Sequence, residues 1–148
     1  MDAELNCMLR KLSNESDPAD WFYLAGDRLK TADLVWQAEG LTASGIELLQ
    51  EAVERYLKGY LVAKGWKLVK THDLSRLVSE AIIFDPRFNV FTSLADELTR
   101  DFFAQHYPGG DWLTIGQRYP DLRRETGGMV ELIEQSLPQY FQKPPGTK

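Results

Sequence analysis

The chain has 148 residues, 43% of them hydrophobic and 26% charged, and a formal net charge of -5. This length and composition predict one soluble domain with a single core, and the acidic balance argues against a generally basic nucleic-acid-binding surface. One cysteine, Cys7, excludes an intramolecular disulfide, and two histidines without a tight acidic cluster do not suggest a metal site. No window approaches the roughly 20 apolar residues of a membrane span, and no signal-peptide core opens the chain. We therefore expect a cytoplasmic protein without metal or cofactor.

Apolar residues recur at spacings of three and four along most of the chain, which predicts helices. The predicted helices cover about 21–39, 44–63, 74–83, 89–105 and 125–140. Asp20 is the expected cap of the first helix, Thr42 or Ser44 of the second, and Thr71 or Asp73 of the third. Gly40 and Gly65 are expected to end the first two helices. The turn-rich segment 107–120, with three glycines and two prolines, is expected to be a loop.

The second helix, 45–64, has the clearest amphipathic pattern in the chain. Its predicted inner stripe consists of Ile46, Leu49, Val53, Tyr56, Leu57, Tyr60 and Leu61. The opposite face carries Glu47, Glu51, Glu54, Arg55 and Lys58, with two acid-first pairs at i,i+4. A stripe of this length needs several helices to pack against.

Short connections and the lack of a strand pattern predict an all-α fold, an up-and-down four-helix bundle with one or two additional short helices. We expect a flexible N-terminal lead-in at 1–17, one bundle domain at 18–141 and a disordered tail at 142–148.

Three motifs, taken in this order, resemble the HEPN domain, an all-helical family. They are Ala32-Asp33-Leu34, Gln50-Glu51-Ala52-Val53-Glu54-Arg55-Tyr56-Leu57-Lys58, and Lys70-Thr71-His72-Asp73-Leu74 followed by Leu77. The second resembles the family pattern Q-x-A-x-E-K-x-L-K, and the third resembles K-T-H-D-L-x-x-L. The family's tyrosine–proline motif has two candidates, His106-Tyr107-Pro108-Gly109 and Arg118-Tyr119-Pro120-Asp121.

The resemblance implies several functional properties. HEPN proteins are commonly homodimers, and many work with a minimal nucleotidyltransferase partner as a toxin–antitoxin or defence module. Nucleotide binding is the role first proposed for the family, and one subset consists of metal-independent RNases with an R-x4–6-H motif at the dimer interface.

Arg100 and His106 are separated by five residues and formally satisfy that RNase motif. The histidine would move a proton, and the arginine would stabilise charge on the phosphate. At ~100° per residue the two side chains lie about 120° apart on a regular helix, so they converge only if the helix end distorts or two protomers contribute. The structural alternative is that Arg100 pairs with Asp96 or Glu97 and that His106 caps the helix end.

Five further residues are candidate nucleotide or RNA contacts: Lys58, Lys70, Thr71, His72 and Asp73. The free N–H groups of a helix start can bind an anion, and the alternative is that Thr71 or Asp73 occupies them as the cap. Lysines at 58, 64, 67 and 70 around Trp66 form a basic-aromatic cluster, whose alternative is a solvated loop with Trp66 folded onto the bundle. Arg118, Arg123 and Arg124 are weaker phosphate candidates.

Three functions remain open from the sequence. The leading one is a HEPN-like homodimeric module that binds nucleotide or RNA and works with a nucleotidyltransferase. The second is a metal-independent endoribonuclease using Arg100 and His106, and the third is a structural bundle without a ligand.

Overall fold

The structure, a computed structural model, describes residues 14–105 and 112–141. Within those ranges the chain forms only helices, which confirms the predicted all-α bundle. The α-helices are α1 (Pro18–Glu39), α2 (Ala43–Ala63), α3 (Leu74–Phe84), α4 (Thr92–Gln105), α5 (Trp112–Gly116) and α6 (Tyr119–Ser136). Two 3₁₀ helices, Pro86–Phe91 and Pro138–Tyr140, precede α4 and follow α6.

Helix α2 is the centre of the bundle. Thirteen of its 21 residues are buried, because α1, α3, α4 and α6 all pack against it. The contact with α1 is the most extensive, and it is tight at Gly59, where a Cβ atom would lie 2.7 Å from the ring of Phe22. All seven residues of the predicted apolar stripe are buried in the hydrophobic core, where they contact the neighbouring helices.

Helices α1 and α6 run antiparallel and are joined by aromatic contacts at both ends. Near the end of α1, Trp36 stacks on Tyr119 with ring centroids 4.8 Å apart. Near its start, Phe22 lies 5.6 Å from Tyr140 and 4.8 Å from Phe141. These contacts hold the last helix beside the first, although they are far apart in sequence.

The helix ends follow the predicted caps with one exception. Thr42 caps α2 and Asp73 caps α3, while Gly40 and Gly65 adopt positive φ angles of 71° and 86° after the first two helices. The prediction of Asp20 as the first cap is wrong. Asp17 takes that role, accepting from the N–H of Ala19 at 2.9 Å, because Pro18 favours the first helical position.

Two predicted boundaries are also wrong. The segment 86–91 forms a 3₁₀ helix before α4, and it buries Phe88 and Phe91 at the three-residue spacing that such a helix places on one side. Helix α6 begins at Tyr119 rather than near residue 125. Pro120 is favourable in the first turn of a helix, and burial of side chains from Leu122 onward stabilises the helix despite two internal glycines. The short helix α5 replaces part of the expected loop.

The predicted lead-in and tail fall mostly outside the described residues, so those domain limits stay predictions. Across 14–105 and 112–141, none of the helices combines the length and apolar character needed to cross a membrane.

Candidate functional site

Three polar residues, Gln50, Glu54 and Lys58, lie one turn apart along α2 and are buried. The face opposite the inner stripe, to which the sequence assigned Glu54 and Lys58, is therefore buried at these two positions. The reason is the central position of α2, whose neighbours cover faces that would be exposed on a peripheral helix. Burying these groups is unfavourable unless their charges and hydrogen bonds are matched nearby.

The Glu54 carboxylate is the centre of this polar network. Its Oε2 accepts from the Nζ of Lys58 at 3.2 Å. Its Oε1 lies 2.7 Å from Nδ1 of His72 and 3.5 Å from Nε2 of Gln50. Lys58 and His72 thus approach opposite oxygens of one carboxylate, and we call Gln50, Glu54, Lys58 and His72 the polar network.

His72 joins the buried part of the network to the surface, since its side chain is 66% exposed. A carboxylate oxygen accepts hydrogen bonds, so Nδ1 of His72 carries the proton in this contact and the ring orientation is fixed. The backbone is held as well, because Nε2 of Gln50 donates to the His72 carbonyl oxygen at 3.4 Å. The segment that enters α3 is therefore tied to α2 by both ring and backbone.

The network also reaches α1. Nζ of Lys58 lies 5.6 Å from the ring centroid of Trp21, in cation–π range, and the Trp21 indole N–H donates to the carbonyl of Glu15 at 2.8 Å. Lys58, predicted as a ligand contact, thus acts on Glu54 and Trp21 inside the bundle rather than at the surface. Gln50 Oε1 is buried and has no hydrogen-bond partner within the described part of the chain.

The N–H groups at the start of α3 are already occupied. Asp73 accepts from Ser75 and Arg76 at 3.0 and 3.3 Å, and Oγ1 of Thr99 accepts from the N–H of Leu74 at 3.2 Å. Asp73 therefore acts as the cap of α3, which was the structural alternative to ligand binding. An anion at this position would therefore have to bind side chains rather than the helix start.

A shallow groove of about 480 Å³ lies between the start of α3 and α4. It is lined by Asp73, Ser75, Asp96, Thr99 and Arg100. The groove brings Arg100 beside the Lys70–Asp73 segment, so two of the predicted sites are neighbours in space.

Arg100 does not make the carboxylate pairs expected from its helix position. Asp96 accepts from the hydroxyl of Ser75, and Glu97 accepts from Arg118. Arg100 itself is exposed, and its Nε donates to the backbone oxygen of Asp96 at 3.4 Å. Its proposed catalytic partner, His106, lies outside the described residues.

The remaining basic candidates differ in their surroundings. Lys67 and Lys70 are exposed, whereas Trp66 is partly buried against the core, as its structural alternative predicted. Arg123 forms two hydrogen bonds with Asp33, at 2.7 and 3.0 Å. The other two arginines of that group are also in ion pairs, Arg118 with Glu97 and Arg124 with Asp121.

The contact between α1 and α6 contains a second buried polar group, Tyr119. Burial, reinforced by the negative charge of Asp33, raises the pKa of Tyr119 to about 12. Its hydroxyl group has no hydrogen-bond partner among the described residues. Hydrogen bonding to Asp33 raises the pKa of Arg123, so the guanidinium group beside this tyrosine stays charged at any ordinary pH.

No three His, Cys, Asp or Glu side chains gather as a metal-binding group in the described ranges. The Glu54 carboxylate instead binds an ammonium group and an imidazole N–H.

The sequence interpretation missed Gln50 and Glu54 as site residues. Both stand directly after buried apolar residues, Leu49 and Val53, so they lie at the edge of the inner stripe. Helix spacing of four in Gln50, Glu54 and Lys58 was the available signal, and recognising burial there required knowing that α2 is central. Of the five predicted contacts, Lys58 and His72 join the polar network and Asp73 borders the groove, while Lys70 and Thr71 precede His72 in the chain.

Comparison with known families matched the chain to the family model described as HEPN domain, over residues 19–134. Neither the comparison with curated proteins nor the comparison with solved structures gave a significant match.

Proposed function

The chain belongs to the HEPN domain family, whose model spans most of it, and on that premise we propose a homodimeric module that binds nucleotide or RNA. We further propose that it works with a minimal nucleotidyltransferase partner of the toxin–antitoxin or defence type. The single observation that carries the ligand-binding part is the position of His72. Its ring is fixed by buried Glu54, yet it is largely exposed, close in sequence to the groove that Arg100 borders.

The surface chemistry around His72 suits phosphate. Lys70 and Arg100 are exposed cations, and an arginine guanidinium can bind a phosphate through two parallel hydrogen bonds. The groove also contains Asp73 and Asp96, and the whole chain is acidic. This mixed charge favours a ligand with few phosphates, such as a nucleotide or a short single strand, over a long duplex.

Fluorescence anisotropy with labelled single-stranded RNA and with a labelled nucleotide tests the proposal. Lys70→Ala and Arg100→Ala should each weaken binding about tenfold, which corresponds to about 1.4 kcal/mol. Arg124→Ala is the matched control, since this exposed arginine lies on α6 and pairs with Asp121. Absence of binding by the wild type would leave the ligand-free structural bundle as the better account, whereas equal losses in all three variants would place the ligand away from the surface around His72.

The second candidate function is metal-independent RNA cleavage by Arg100 and His106. It is favoured by the exposed guanidinium of Arg100, since the two carboxylates expected to pair with it, Asp96 and Glu97, are bound to Ser75 and Arg118. In this reaction the arginine would stabilise the phosphate as charge develops, and the histidine would transfer the proton of the 2′-hydroxyl or the leaving oxygen.

Incubation of RNA with the purified protein in a chelator tests this reaction. Arg100→Ala and His106→Ala should each abolish cleavage if the two residues act together. Equal residual cleavage by the wild type and both variants would remove these residues from any mechanism.

The partner is tested by co-expression with a minimal nucleotidyltransferase encoded beside this chain. Co-elution as a complex of fixed stoichiometry supports the paired module. Separate elution at every concentration tried refutes that part alone and leaves ligand binding untouched.

A further inference from the structure

One side of α1 is exposed along its whole length. The inner side buries Ala25 and Ala32 completely. At ~100° per residue, seven exposed residues, Gln37 among them, fall within an arc of about 100° on the opposite side. Six of them, all except Gln37, form the set that we call the outer stripe: Ala19, Tyr23, Asp27, Lys30, Leu34 and Ala38.

The outer stripe has a symmetric order. The intervals between its members are four, four, three, four and four residues, so the spacing is the same in both directions. Two copies of α1 laid antiparallel, about a two-fold axis that passes between residues 28 and 29, would match each of these six positions with its counterpart, while Gln37 would face the position of buried Asp20. Ala19 then opposes Ala38 of the second copy, Tyr23 opposes Leu34, and Asp27 opposes Lys30.

The matched positions are chemically complementary. Tyr23 is 48% and Leu34 55% exposed, and their contact would cover the two large apolar side chains of the stripe. Asp27 would face the opposite charge of Lys30, twice in each dimer. A parallel arrangement would instead oppose Asp27 to Asp27 and Lys30 to Lys30, which repel.

The local shape allows this approach. Gly26 lies beside a shallow depression that also involves Phe22, Tyr23, Asp27 and Lys30, so a side chain of the second copy has space there. The carboxylate of Asp27 accepts from Arg28 of its own helix at 2.9 Å, and it remains 54% exposed for a second cation.

From this complementarity we infer that the outer stripe of α1 binds a second copy of this chain, with the two helices antiparallel across a two-fold axis. The inference rests on the homodimeric part of the proposed function and assigns its surface. It is independent of whether the groove near His72 binds a ligand.

Sedimentation velocity over the micromolar range tests the surface. The wild type should be a dimer, and Leu34→Glu should raise its dissociation constant at least about tenfold, because a carboxylate replaces an apolar contact on both sides. Ile83→Glu is the matched control, since Ile83 is an exposed apolar residue on α3, and it should leave the dimer intact. Thermal melting by circular dichroism identifies any variant that fails to fold.

A charge exchange tests the antiparallel register. Asp27→Lys and Lys30→Asp should each weaken the dimer, whereas the double variant should restore it, because each new charge meets its opposite. A dimer that resists Leu34→Glu, or a double variant no better than the singles, overturns the inferred surface while the homodimer stands. A monomeric wild type overturns both the surface and the homodimer.

Discussion

Two acid–base pairs of this molecule have similar geometry and opposite surroundings. Glu54 and Lys58 approach to 3.2 Å with side chains 5% and 7% exposed. Asp85 and Arg87 approach to 2.8 Å with side chains 16% and 66% exposed. Distance alone would rank the second pair as the stronger, but the desolvation of the charges decides what each pair does.

Around the buried pair, every charge depends on protein groups, because water cannot replace a missing partner. This dependence explains why Gln50 and His72 also contact the Glu54 carboxylate. At the surface pair, Arg87 binds Asp85 and keeps the pKa of that carboxyl below its usual value, while water solvates the rest. The buried pair Glu54–Lys58 therefore connects α1, α2 and the segment that enters α3. The pair Asp85–Arg87 makes only a local contact at the start of a 3₁₀ helix.

The largest expected effect comes from breaking the buried pair on one side. Glu54→Ala leaves Lys58 buried without its counter-charge and should lower the free energy of unfolding by about 3–5 kcal/mol. Urea unfolding followed by circular dichroism measures it. Glu51→Ala is the control on the same helix, because Glu51 is 29% exposed and pairs with Arg28, and it should cost less than about 1 kcal/mol. Equal losses in the two variants would contradict the contrast.

A smaller net effect is expected when the buried pair is replaced as a unit. The double variant Glu54→Leu with Lys58→Met removes both charges and keeps similar volume, so it should regain most of the stability that either single change loses. A double-mutant cycle from urea unfolding gives the coupling. Simple addition of the two single losses would show that the charges do not depend on each other.

Tyr119 adds a third case to this comparison, a buried hydroxyl group with no hydrogen-bond partner among the described residues. Tyr119→Phe should stay within about 1 kcal/mol of the wild type, because no hydrogen bond to a described residue is lost. The raised pKa means that the neutral form is favoured in the folded state. The stabilisation that the neutral Tyr119 hydroxyl gives the folded state should be complete below pH 10 and should fall as the pH rises toward about 12. Alkaline titration of tyrosine absorbance should show a step near pH 12 that the variant lacks.

The smallest effect is expected at the surface pair. Arg87 lowers the pKa of Asp85 below its ordinary value of 3.8. The ion pair therefore stabilises the fold at pH values above 3.8, and this stabilisation is lost as the pH falls through the lowered pKa of Asp85. Arg87→Gln should therefore be slightly less stable than the wild type near neutral pH, and the difference should vanish in acid. Denaturant midpoints across this range measure it, and a difference that grows toward low pH would have the wrong sign.

Much of the fold was predictable because local physics specifies it. The inner stripe of α2, the stops at Gly40 and Gly65 and the cap at Asp73 depend on residues close in sequence. The cap at Asp17 was missed because two aspartates precede the first apolar residues, and the proline between them decides the choice.

The candidate site was less predictable, since it depends on which helix is central. Helix spacing places Glu54 and Lys58 on one side of α2, but only the packing of four neighbours makes that side buried. The nearness of Arg100 to the Lys70–Asp73 segment likewise arises from the way α3 and α4 pack, which no spacing in the sequence encodes.

The central claim is that the polar network holds His72 and its neighbours in position for a ligand, beyond stabilising the bundle. The most direct test is the affinity of the Glu54→Leu, Lys58→Met double variant for single-stranded RNA and nucleotide, measured where the variant is fully folded. We expect a folded protein whose affinity falls at least about tenfold, because His72 loses the carboxylate that orients it. Wild-type affinity in that stable variant would contradict the claim and leave the network a purely structural junction.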